Sequence, residues 1–160
     1  MKRLPNMNSG RFAAYSAGFL VALALIAFVA AAAAQVASEP VEGNMAKEDL
    51  VREAKSRIVE VTAEAAEAMR DKGGTYFLDT REEKEFKRGH IPGAINIPRG
   101  WLEFRIADLV PEKDADIVIY CKSGDRSSLG VVSLLRMGYR NAVNLKGGWR
   151  AWDKAGYPVE

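Results

Sequence analysis

From Lys47 onward, short β-branched or aromatic runs alternate five times with helix-forming segments. Parallel strands need a long crossover between them, usually a helix, so this alternation is the mark of a parallel sheet with helices packed on it. Residues 58–61, 75–79, 95–98, 116–121 and 141–145 read as strands, the fourth being the most apolar. Residues 47–56, 63–71, 81–89, 101–109, 127–139 and 147–156 read as helices. Thr62 is placed to cap the second helix, and Gly73-Gly74 to end it. Trp101, Leu102, Phe104, Ile106 and Leu109 supply the apolar positions of the fourth. The pattern predicts an α/β fold: one domain, residues 47–160, with a mainly parallel five-stranded sheet flanked by helices. Ligand sites of such sheets lie beyond the carboxyl ends of the strands, in the loops that lead into helices.

The segment before this domain is of another kind. Residues 1–34 carry Lys2, Arg3 and Arg11 and no acid, and no further charge occurs until Glu39. An apolar centre, FLVALALIAFV, is followed by a run of alanines. A basic start, an apolar middle and small residues at the end form the pattern of a secretory signal, with Ala32 and Ala34 fitting a cut after Ala34. The uncharged stretch 12–34 is also long enough to be kept as a membrane anchor, since about 20 residues span a bilayer. The first reading places the domain in the periplasm or outside the cell. The second anchors it to the inner membrane facing outward, and only then is a membrane a partner. Residues 35–46, small and polar with Pro40 and Gly43, form a linker.

Charge and composition narrow the function. The chain's formal net charge of +2 comes from this first segment; beyond it, 20 basic side chains face 21 acidic ones. That balance gives no ground for a nucleic-acid partner. One Cys excludes an intramolecular disulfide and a four-cysteine zinc site, and one His argues against a histidine-rich metal site. No metal or organic cofactor is implied.

The one cysteine, Cys121, ends the most apolar strand and opens the loop CKSGDRS, with a helix beginning near Ser127. Loop amides turned inward, together with a helix N-terminus, make a nest for an anion. Gly124 permits the tight backbone that such a nest needs. Lys122 and Arg126 add positive charge; Asp125 opposes it unless its side chain points to solvent. A thiol in these surroundings is expected to ionise below its ordinary range and to act as a nucleophile. The alternative is an inert cysteine packed as a small hydrophobe.

The loop resembles the active-site loop of the rhodaneses, thiosulfate sulfurtransferases whose loop has the form C-x-x-G-x-R. Two further segments agree, in the same order along the chain: LDTREEKEFKRGHIPGAINIP at 78–98 and GGWRAW at 147–152. The resemblance covers about residues 57–157. It implies that Cys121 attacks the outer sulfur of thiosulfate and carries a persulfide. It also implies that Arg126 and the amides of Lys122, Ser123, Gly124, Asp125 and Ser127 cradle the sulfur. A small anionic sulfur donor and a thiol or cyanide acceptor, or a protein in either part, would be the partners. Persulfide relay or docking without turnover is the other role that such domains serve. Related phosphatases and arsenate reductases have one more residue between Cys and Arg, which makes room for a phosphate-like centre; here four intervene.

Other conspicuous residues have structural readings. Asp79 and Arg81 suit an ion pair that fixes the loop, or else a rim contact with substrate. His90, in GHIPGA, suits a turn-fixing hydrogen bond rather than general base catalysis. Trp149 and Trp152 suit core and lid.

Overall fold

The computed structural model describes residues 45–160; the N-terminal segment 1–34 and most of the linker lie outside them. The order of elements is α1 (Lys47–Ser56), β1 (Glu60–Val61), α2 (Ala63–Lys72), β2 (Thr75–Asp79), α3 (Glu83–Phe86) and β3 (Ile95–Asn96). A short 3-10 turn (Arg99–Trp101) then leads into α4 (Leu102–Leu109), β4 (Asp116–Tyr120), α5 (Asp125–Arg136), β5 (Ala142–Leu145) and α6 (Gly148–Lys154). All neighbouring strands are parallel, in the order β1-β5-β4-β2-β3. The sheet is thus wholly parallel rather than mainly so, because every strand-to-strand link contains a helix, a helical turn or a long loop.

Strand β4 explains why both faces are covered. Its side chains alternate with period two, and residues 117–120 are all buried. Ile117 and Ile119 join Leu102 and Ile106 of α4 and Val131 and Leu134 of α5 on one face. Val118 and Tyr120 join Ala66 of α2 and Trp152 of α6 on the other. Full burial of each such side chain contributes roughly 1.5–3 kcal/mol.

Local signals act as the sequence suggests in several places. Thr62 Oγ1 accepts from the Ala65 amide at 3.1 Å and starts α2. Two expectations need correcting. Helix α5 begins at Asp125, two residues before Ser127, so Asp125 and Arg126 belong to its first turn. Of the apolar positions expected in the fourth helix, Leu102 and Ile106 of α4 enter the core, whereas Trp101, in the 3-10 turn, and Phe104 are 61% and 76% exposed and meet edge to face. Phe104 stands two residues from both Leu102 and Ile106, on the opposite side of the helix, and Trp101 lies ahead of it.

Among the described residues, no helix is long and apolar enough to cross a membrane.

Candidate active site

Register places the site. Asp79 pairs with Tyr120 across β2 and β4, and Cys121 follows at the carboxyl end of the central strand. Thr80 locks that end: its amide and hydroxyl both donate to the Tyr120 carbonyl, at 2.8 and 2.9 Å. From the other side the Trp149 amide donates to the Cys121 carbonyl at 2.7 Å, and the Arg150 amide to that of Lys122 at 3.1 Å. The loop is therefore held by backbone bonds from α6 as well as by its own helix.

Cys121 is fully buried, and its sulfur accepts a hydrogen bond from the Gly124 amide at 3.2 Å. Gly124 has φ +89, and a Cβ there would stand 3.0 Å from the Leu145 carbonyl oxygen. The residue must therefore be glycine for both conformation and space. Burial pushes the Cys121 thiol up, but hydrogen bonds from the Ser127 hydroxyl and the amides of Ser127, Ser123 and Gly124 outweigh it. The net result is a thiol held below its ordinary value of 9.0. The leading contributions come from uncharged donors rather than from the Lys122 and Arg126 charges that the sequence suggests. Ser127 Oγ is buried and makes no hydrogen bond in the resting geometry. Its effect on the sulfur belongs to the ionised state, in which the thiolate gives that hydroxyl an acceptor.

The other predicted residues fall into two groups. Ser123 and Asp125 bond to each other, Ser123 Oγ donating to the carboxylate at 2.9 Å. Asp125 does not simply face solvent, because Lys55 Nζ also donates to it, at 2.7 Å. Lys122 is exposed. Arg126 is partly exposed, and its guanidinium lies 3.6 Å from the Glu85 carboxylate.

Asp79 and Arg81 are buried. The Arg81 guanidinium forks onto the Asp79 carboxylate, at 2.6 to 3.0 Å, and also donates to the Gly89 carbonyl at 2.8 Å. It lies over the Trp149 ring, 4.6 Å from the centroid. This geometry fits the ion-pair reading. Arg81→Met is expected to destabilise the fold by about 3–5 kcal/mol, because it strands a buried carboxylate. A urea titration checks this, and the double variant Asp79→Asn/Arg81→Met should recover part of the loss.

His90 Nδ1 donates to the Phe86 carbonyl at 3.1 Å, its ring stacks on Phe86, and its backbone pairs with that of Glu160. Trp152 is core, and its Nε1 donates to the Pro158 carbonyl.

Sequence reasoning missed Lys55, Thr80, Asn144 and the structural part of Gly148. Asn144 Nδ2 donates to the Gly124 carbonyl at 3.0 Å and to Glu60 at 2.7 Å. Gly148 lies against the loop itself: a Cβ there would be 2.3 Å from the Cys121 carbonyl oxygen. The GGW triplet marked this glycine, but nothing in its spacing showed what it touches.

Comparison with known proteins gives a consistent result. The rhodanese-like domain model matches residues 62–155, more than half of the chain. A sulfurtransferase from Allochromatium vinosum is 34% identical over 94 residues, covering 59% of this chain and 86% of that protein. Among solved structures, a Rhodopseudomonas palustris protein of unknown function, named a possible tyrosine phosphatase, superposes with a TM-score of 0.69 at 31% identity. That likeness covers 77% of this chain and all of the other. A thiosulfate sulfurtransferase from Pseudomonas aeruginosa gives a TM-score of 0.61 at 33% identity, over 68% of this chain and 21% of that one.

Proposed function

The chain belongs to the rhodanese-like domain family, and on that footing we propose that it is a sulfurtransferase that carries sulfane sulfur on Cys121, with thiosulfate or a similar small anion as donor. The observation that carries this reading is the buried sulfur of Cys121 accepting from the Gly124 amide at 3.2 Å at the start of its loop, with the buried, unpartnered Ser127 hydroxyl in the first turn of the helix that follows. Such donors favour a thiolate, and they equally favour the anions that arrive and depart.

The chemistry is a double displacement. The Cys121 thiolate attacks the outer sulfur of thiosulfate. A bond forms between the two sulfurs, the sulfur–sulfur bond of thiosulfate breaks, and its electron pair leaves with sulfite. An acceptor thiolate or cyanide then attacks the outer persulfide sulfur and the Cys121 thiolate returns. The loop amides and the Ser127 hydroxyl hold the negative charge at each stage, and Arg126 and Lys122 supply long-range attraction for the donor.

A phosphatase reading has the Rhodopseudomonas likeness in its favour. Against it stands the loop, with four residues between Cys121 and Arg126 instead of the five that a phosphate-like centre uses.

Intact mass after exposure to thiosulfate tests the proposal: the protein should gain one sulfur atom and release one sulfite. Sulfur uptake with slow return to small thiols but fast return to a protein partner would make it a relay. No uptake, or hydrolysis of an aryl phosphate, would overturn it. The same measurement reads the mature N-terminus. We place the domain outside the cytoplasm on the strength of the basic, apolar and small-residue order in 1–34. A cytoplasmic fractionation of the full chain would refute that.

The lowered thiol has a pH signature. The thiolate fraction rises with pH and is half-complete below 9.0, the ordinary value. The pH profile of Cys121 alkylation is therefore expected to have its midpoint below that of a free thiol, with the rate falling as the pH drops through it. A midpoint at or above the ordinary value would remove the cradle from the account.

A further inference from the structure

Helix α1 and strand β1 lie before residue 62, where the family match begins. Both nevertheless reach the sulfur loop. Lys55, in the last turn of α1, pairs with Asp125 at 2.7 Å across 70 positions of sequence. Ser123 Oγ donates to the other oxygen of that carboxylate. From β1, Glu60 accepts from the same Asn144 amide that holds the Gly124 carbonyl.

Asp125 is the sole acid between Cys121 and Ser127, and it stands in the first turn of α5. Unpaired, its charge would oppose any anion in the nest. The side chains of the pair are 32% and 49% exposed. A pair so exposed adds little to global stability. Its consequence lies in the charge of the loop that carries the sulfur.

We propose that Lys55 is a positioning residue of this site: by neutralising Asp125 and tethering it to α1, it keeps the loop's one carboxylate from opposing the sulfur anion. The inference rests on Cys121 acting as a thiolate. The electrostatics agree with the geometry. Asp125 is held below its usual range by the Lys55 bond first, then by Ser123 and by Lys47 of α1. Lys55 is raised by its bond to Asp125 first, and in smaller measure by Glu60 of β1 and by Cys121. That last effect is reciprocal, since an ammonium that feels the thiolate stabilises it equally. Lys122 and Arg126 complete the charges of the loop itself.

The test is the pH profile of alkylation by iodoacetamide in the full chain, whose single cysteine makes the readout specific to Cys121. Lys55→Met should move the midpoint up by about 0.5–1 pH unit, a roughly 3–10-fold slower reaction on the low-pH limb. Lys55→Arg should keep the parent profile, and Asp125→Asn should move it down. Opposite shifts from the two ends of one pair follow from charge, whereas a loosened loop moves both the same way. A Lys55→Met profile that superposes on the parent's, or shifts of the same sign in the two variants, overturns the proposal. If Lys55→Met does not fold, Asp125→Asn decides alone: a downward shift supports the role, and an unchanged or raised midpoint refutes it. These outcomes are separable from sulfur transfer. A protein that shows the opposite shifts but takes no sulfur from thiosulfate refutes the enzyme and leaves the Lys55 role standing.

Discussion

Cys121→Ser is expected to abolish sulfur uptake from thiosulfate, with a loss of at least about 10³-fold in turnover and no mass gain on the protein. The fold should be little changed. The hydroxyl is smaller than the thiol, sits in the same buried place and can still accept from the Gly124 amide. The reaction is lost because the cradle stabilises an anion that serine does not form. An alcohol stays protonated at any pH the protein survives, however many amides face it, whereas a thiol held below its ordinary range ionises more readily than a free one. No second cysteine can take over, as the chain has only one. Sulfite release measured beside intact mass decides the matter. A Cys121→Ser variant that still turned over thiosulfate would show that the sulfur never passes through this residue.

Gly148→Ala should be the most disruptive small substitution in the domain, at about 3–5 kcal/mol. Gly148 has φ +57, and an added Cβ would stand 2.3 Å from the Cys121 carbonyl oxygen, 2.8 Å from the Gly124 nitrogen and 3.0 Å from the Lys122 carbonyl carbon. All three are backbone atoms, so no side chain can swing aside. Either α6 lifts from the sheet or the loop moves. A moved loop turns the Gly124 amide away from the sulfur, so residual folded protein should show a raised thiol midpoint. Gly138→Ala is the control: its φ is +92, but nothing lies within 4 Å of the added carbon. That change should cost only about 1–2 kcal/mol of backbone strain. Denaturant midpoints separate the two, and equal losses would mean that φ, not contact, sets the requirement.

These two residues show how much of the site was legible beforehand. Cys121 could be found because a strand's apolar run, a glycine and a helix start are all local signals. The alternation of strands and helices gave the parallel sheet for the same reason. The Asp79–Arg81 pair is two residues apart and needed no tertiary knowledge. Gly148 and Lys55 are different. Each acts through contact with a loop more than twenty positions away, and that contact depends on the strand order β1-β5-β4-β2-β3. Periodicity tells which face of an element is buried but not which element lies beside it. Trp101 and Phe104 are exposed for a local reason: both are apolar by composition, but Phe104 is two residues from Leu102 and Ile106 and so faces away from the stripe they form.

The bonds from α6 to the loop carry a consequence for the order of events in folding. Strand β4 and Cys121 are complete in the chain well before Trp149 and Arg150, whose amides hold the Cys121 and Lys122 carbonyls. Contacts across such separations form after loop closure has been overcome, so they come late. A chain that has not yet grown to Trp149 therefore lacks the two bonds that hold these carbonyls. The loop that carries the sulfur is thus fastened from behind by the last helix of the domain.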